Sequence, residues 1–167
     1  MKTNRYLYLV LLSLSVAIIS CTKTDVISND TPDHSAGLNE SLMLQLVNEQ
    51  RQKGCNCGSV YYPPTTALTW NDQLVAAALT HAADMNANDY FSHTGFDGSS
   101  AGDRIRKAGY AWQTYGENIA KGYSSEESVM RAWILSEGHC KNIMSSGFRE
   151  FGAANVNDYW VQEFGTR

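Results

Sequence analysis

The chain has 167 residues, 43% of them apolar and 18% charged, with a formal net charge of −4 at neutral pH. That length suits one domain of about 100–200 residues, with a core able to fold without a structural metal. The acidic balance and the lack of a basic run exclude the phosphate neutralisation that nucleic-acid binding needs, so no nucleic-acid partner is expected.

The first segment has the pattern of an export leader. Met1–Arg5 carries Lys2 and Arg5, an apolar run covers Tyr6–Ile19, and Ser20-Cys21 follows. A spanning helix needs about 20 apolar residues, and this run is shorter. Residues 1–20 are therefore expected to be a lipoprotein signal peptide, cleaved before Cys21. Acylation of Cys21 would hold the chain to a membrane through its lipid. Ile18 stands where such signals usually carry leucine, and a plain signal peptide with an incidental cysteine is the rival reading. Loss of Lys2 and Arg5 would take the net charge from −4 to −6. The expected location is the cell envelope, extracytoplasmic and lipid-anchored, in an outer membrane facing either the periplasm or the surface. Residues 21–37 are polar and aperiodic, which suits a flexible tether; His34 lies there and needs no function.

The domain runs from 38 to 167. Asn39 can cap a helix over Glu40–Lys53, with Leu42, Leu46 and Val47 on one face and Gly54 as its stop. The loop GCNCGSVYYPPTTALTW follows, extended at Pro63-Pro64. Asn71 caps a second helix, in which Leu74, Ala78, His81 and Met85 recur at helical spacing. A short helix fits Ala101–Ala108, capped by Ser100 and closed by Gly109. Ser124 and Glu127 read as a capping box for a helix carrying Val129 and Trp133, with Gly138 as terminator. Strands fit Gln113–Ala120, Phe148–Val156 and Tyr159–Gly165, the last two joined by a hairpin turn at Asn157-Asp158. Helices first and strands mostly last predict an α+β domain.

After Cys21 three cysteines remain: Cys55, Cys57 and Cys140. An exported domain keeps disulfides, and three thiols allow one bridge with one left over. A Cys55–Cys57 bridge would close a small strained ring, so a bridge from that loop to Cys140 is favoured. Closing about 80 residues would stabilise by roughly 4 kcal/mol in the chain-entropy account. Zinc held by Cys55, Cys57, Cys140 and His139 is the rival, at a spacing unusual for zinc.

Four local motifs stand out: FSHTG at Phe91–Gly95, GENIA at Gly116–Ala120, SEGHCKNIM at Ser136–Met144 and YWVQEFG at Tyr159–Gly165. Taken in order with HAADM, DGSS and AGY, they resemble the bacterial branch of the CAP superfamily. That superfamily is named for cysteine-rich secretory proteins, antigen 5 and pathogenesis-related proteins (the SCP-like extracellular domain). The resemblance covers residues 38–167. It implies a three-layer α-β-α sandwich with a small, mainly antiparallel sheet and a cleft lined by two histidines and two glutamates. By motif these are His93, Glu117 and His139. The second glutamate falls at Ser136 by the family spacing, with Glu137 one place on. The resemblance also implies a disulfide between Cys57 and Cys140, leaving Cys55 over.

Imidazole titrates near neutral pH and is the commonest metal ligand. His93, His139 and Glu117 could hold a divalent cation such as zinc, could move protons, or could simply brace the cleft. No H-E-x-x-H motif is present, and Ser136 lies in the last turn of its predicted helix. His81 reads as buried and hydrogen-bonded, Asn118 and Asn142 as braces, Trp133 and Trp160 as core. Glu163 lies either at the sheet edge or toward the cleft. The leading reading is a monomeric extracytoplasmic binding module with a cation site. The alternatives are a metal-dependent hydrolase acting on peptide or envelope material, with Glu117 as base, and a lipid- or sterol-binding protein.

Overall fold

Helices begin where a polar side chain can take up the first free N–H groups. In the computed structural model, which describes residues 37–167, α1 (Glu40–Lys53) starts at Asn39, whose side chain accepts from the Leu42 N–H. α2 (Asp72–Ala87) starts at Asn71, which accepts from Gln73 and Leu74, and α3 (Ala101–Lys107) at a capping box between Ser100 and Asp103. The expected leader, Cys21 and all of the tether but Gly37 lie outside the described residues. Among the described residues no helix is long and apolar enough to cross a membrane.

The last two helices depart from expectation. α4 (Glu126–Leu135) is capped by Ser125 and Ser128, one residue later than the Ser124–Glu127 pair. This register puts Glu126 in the first turn, where it also accepts from the Asn39 N–H at 2.6 Å and ties α4 to the start of α1. α4 stops at Leu135 rather than Gly138. Ser136, at φ −92° and ψ 120°, turns the chain into α5 (Glu137–Met144), so Gly138, His139 and Cys140 are helical. Arg51 of α1, wholly buried, donates to the Thr66 carbonyl at 2.7 Å and to the Ile143 and Ser145 carbonyls at 2.6 and 2.9 Å. It thereby satisfies carbonyls at the end of α5 that have no helical partner. Burial holds its guanidinium down at about 10.

The cysteine loop contains a hairpin, β1 (Cys55–Cys57) and β2 (Val60–Tyr62), with Gly58 at φ +63° in the turn. β3 (Thr69–Trp70), β4 (Thr114–Lys121), β5 (Glu150–Val156) and β6 (Tyr159–Thr166) form a sheet in the order β3-β5-β6-β4. β3 runs parallel to β5; the other pairs are antiparallel. Asn157, at φ +56°, makes the expected β5–β6 turn.

Alternation along the strands divides the core in two. Ala120, Ala153, Trp160 and Phe164 pack with Met43, Val47, Val129, Trp133 and Ile143 of α1, α4 and α5. Ile119, Ala154 and Val161 pack with Ala78, Ala82 and Met85 of α2. The result is the implied helix–sheet–helix sandwich. Gly152 permits the α2 contact, since a Cβ there would come within 2.4 Å of the Val75 backbone nitrogen.

Candidate functional site

β4 is one of the two edge strands of the four-stranded sheet, opposite β3, and its successive residues face opposite layers. Glu117 faces α2 and Asn118 faces α5. The candidate residues therefore reach one edge from two sides: His93 from the loop after α2, and His139 from the first turn of α5.

On the α2 side Glu117 is buried and engaged at both oxygens. Oε1 accepts from His93 Nδ1 at 2.6 Å, and Oε2 accepts from Arg104 Nη2 at 2.5 Å. Arg104, itself 5% exposed, also donates to the Ser99 and His93 carbonyls at 3.0 and 3.1 Å. Burial opposes ionisation of Glu117, but the His93 hydrogen bond and the Arg104 charge outweigh it and hold the carboxyl below its usual range. The same bond raises His93, whose side chain is 59% exposed. With its proton on Nδ1 facing Glu117, neutral His93 leaves the Nε2 lone pair free.

His81 is buried as expected. Its Nε2 bonds the Ser92 carbonyl at 2.8 Å and lies 3.9 Å from Glu117 Oε2. Burial lowers its pKa, so it stays neutral.

Glu163 lies neither at the sheet edge nor open to the cleft. It sits on the inner strand β6, fully buried and directly opposite Glu117. Neither of its oxygens finds a hydrogen-bond partner of normal geometry. Burial first, and then the Glu117 charge, raises its pKa well above the carboxylate range. Like charges directly opposite across a ladder repel. The pair therefore holds one proton, on Glu163, while Glu117 is ionised.

On the α5 side the groups are held by amides and sulfur. Asn118 Nδ2 donates to the His139 carbonyl at 3.2 Å and to Gln162 Oε1 at 3.1 Å. Asn142 Nδ2 donates to the Glu117 carbonyl at 3.0 Å and to Asn118 Oδ1 at 2.9 Å. Both asparagines brace the site as expected. Burial, and then the charge of nearby His93, lowers the pKa of the His139 imidazole. Cys57 and Cys140 are bonded, and Cys55 is a half-buried thiol whose pKa burial raises. The three sulfurs lie within 4.8 Å of one another, but with two joined the four-ligand zinc site with His139 does not form.

Of the expected fourth members, Glu137 pairs with Lys141 at 2.5 Å and lies beside Gly58 in the β1–β2 turn. Ser136 sits at the α4–α5 junction. Trp133 and Trp160 are core, their indole N–H groups on the Ile119 and Tyr123 carbonyls. Sequence reasoning passed over Arg104, which differs from neighbouring Arg106 only by helix phase: it lies beside buried Ile105 on the inward face. It also left Glu163 open, although an acid inside an apolar strand was the available signal.

Residues 44–164 match the family described as CAP, the cysteine-rich secretory protein family. The Bacillus subtilis protein YkwD is 33% identical over 127 residues, which make up 75% of this chain and 46% of that protein. The chain thus spans less than half the length of that relative. A crystal structure of an extracellular protein containing an SCP domain, from Bacillus anthracis, superposes with a TM-score of 0.68 at 27% identity, covering 77% of this chain and 40% of that one. NaASP2, crystallised with Zn2+, shares the fold at a TM-score of 0.56 and 16% identity, covering 80% of this chain and 83% of that one.

Proposed function

This chain belongs to the cysteine-rich secretory protein family, and we propose that it is an extracytoplasmic binding module in which the imidazoles of His93 and His139 take a divalent cation such as zinc. The observation that carries this reading is the 2.6 Å hydrogen bond from His93 Nδ1 to the buried Glu117 carboxylate. A carboxylate behind a histidine fixes its tautomer and raises the basicity of the other ring nitrogen. Glu117 then acts from behind His93 rather than as a ligand itself, because both its oxygens are engaged. His139, kept neutral by burial, supplies the second lone pair. A cation there would supply positive charge to polarise an oxygen of a bound ligand. The zinc-containing crystal of NaASP2 supports the choice of metal.

The hydrolase reading needs Glu117 as a free base, and its bonds to His93 and Arg104 weigh against that role. Location outside the cytoplasm, with an anchor at Cys21, belongs to the same proposal. It is supported by the leader pattern of residues 1–21 and by the extracellular Bacillus anthracis neighbour.

Calorimetric titration of the leaderless chain with zinc tests the cation site. Binding at one equivalent, lost in both His93→Ala and His139→Ala, is the expected result. No heat above buffer dilution in the parent would overturn it.

A further inference from the structure

Residues two apart on a strand point the same way, so β1 presents Cys55 and Cys57 on one face, and α5 brings Cys140 to both. Cys140 is bonded to Cys57, yet its Sγ also lies 3.5 Å from Cys55 Sγ. This cluster stands apart from the bonds that hold Glu117 and His93. Disulfides exchange when a thiolate attacks one of their sulfurs, and Cys55 already touches one.

We propose that Cys55, Cys57 and Cys140 form a thiol–disulfide exchange centre in which Cys140 trades its bridge between the two β1 cysteines. The Cys55 thiolate rotates into line and attacks Cys140 Sγ. The Cys55–Cys140 bond forms as the Cys57–Cys140 bond breaks. Cys57 leaves as a thiolate and takes up the proton that Cys55 gave to solvent. One disulfide and one thiol exist before and after, so no oxidant or reductant is consumed.

The two bridges close loops of nearly the same size, with sequence separations of 83 and 85. Loop entropy depends on the logarithm of loop length, so it favours neither isomer. A Cys55–Cys57 bridge does not compete. Cα atoms two apart on a strand are about 6.6 Å from each other, at the upper limit for a disulfide. Exchange moves the anchor of α5 two residues along β1, and α5 carries His139.

The test uses the full chain, held natively at about pH 9 because burial lifts the Cys55 thiol above its ordinary value of about 8.5. The protein is then acidified, denatured and alkylated with a maleimide, and the label is placed by fragment mass spectrometry. Label on both Cys55 and Cys57, within about tenfold of each other, with Cys55–Cys140 peptides present, is expected. Label on Cys55 with none on Cys57 overturns the proposal. As a second arm, Cys57→Ser is expected to form a Cys55–Cys140 bridge and to keep its urea midpoint near that of the parent. A folded Cys57→Ser chain in which Cys55 and Cys140 are both free also overturns it. Should that variant fail to fold, the label distribution in the parent still decides.

Discussion

On the α2 side of β4, Glu117 is gripped by the charge of Arg104 and the ring of His93, and buried Glu163 opposes it. On the α5 side, the Cys57–Cys140 bridge and the amides of Asn118 and Asn142 hold the structure around His139. One half of the site is thus tuned by protons and the other by sulfur chemistry. A group used for binding at the edge of a sheet can be preorganised by either means. The two respond to different perturbations, and that difference makes the comparison breakable.

The largest expected effect is on the sulfur side. Reducing the bridge in the folded protein should lower unfolding stability by about 4–5 kcal/mol, as read by urea denaturation with and without a phosphine reductant. A loss under about 1 kcal/mol would mean that the amides alone hold α5. On the charged side, Glu117→Leu leaves Arg104 buried without its counter-ion and should cost about 3–5 kcal/mol. Adding Arg104→Met should recover much of that loss. No recovery in the double variant would show that the ion pair is not the reason for the cost.

The pH responses of the charged side have opposite signs. The Glu117 pKa is lowered by folding, so its contribution is present above the ordinary carboxylate range and is lost as pH falls through its folded value. The Glu163 pKa is raised, so the parent loses stability as pH climbs from the ordinary carboxylate range toward that raised value. Glu163→Gln should therefore match the parent in acid and gain on it steadily toward neutral pH. Parallel stability curves for the two chains would place the shared proton elsewhere. His93→Ala should be the smallest effect on folding, about 1–2 kcal/mol, because the ring is largely exposed but its loss leaves Oε1 of buried Glu117 without its donor.

Much of the frame was legible because local chemistry set it. Asn39, Asn71 and Ser100 announced their helices, and Asn157-Asp158 announced its hairpin. β3 has two residues and exists only through its pairing with β5, so nothing local could reveal it. The break at Ser136 was hidden because Gly138 resembles a helix stop, whereas it lies in the first turn of the next helix. In the site, His93, Glu117 and His139 were legible as motifs. Arg104 and Glu163 were not, because their roles depend on burial and on strand register, which only the folded chain supplies.

The central claim is that Glu117 fixes the His93 tautomer and so frees Nε2 for a cation. Long-range proton–nitrogen correlation of the histidine side chains, recorded before and after adding zinc, tests it most directly. Neutral His93 should carry its proton on Nδ1, and zinc should shift Nε2 of His93 together with the His139 ring while leaving His81 unmoved. A proton on His93 Nε2, or zinc shifts confined to other histidines, would contradict the account.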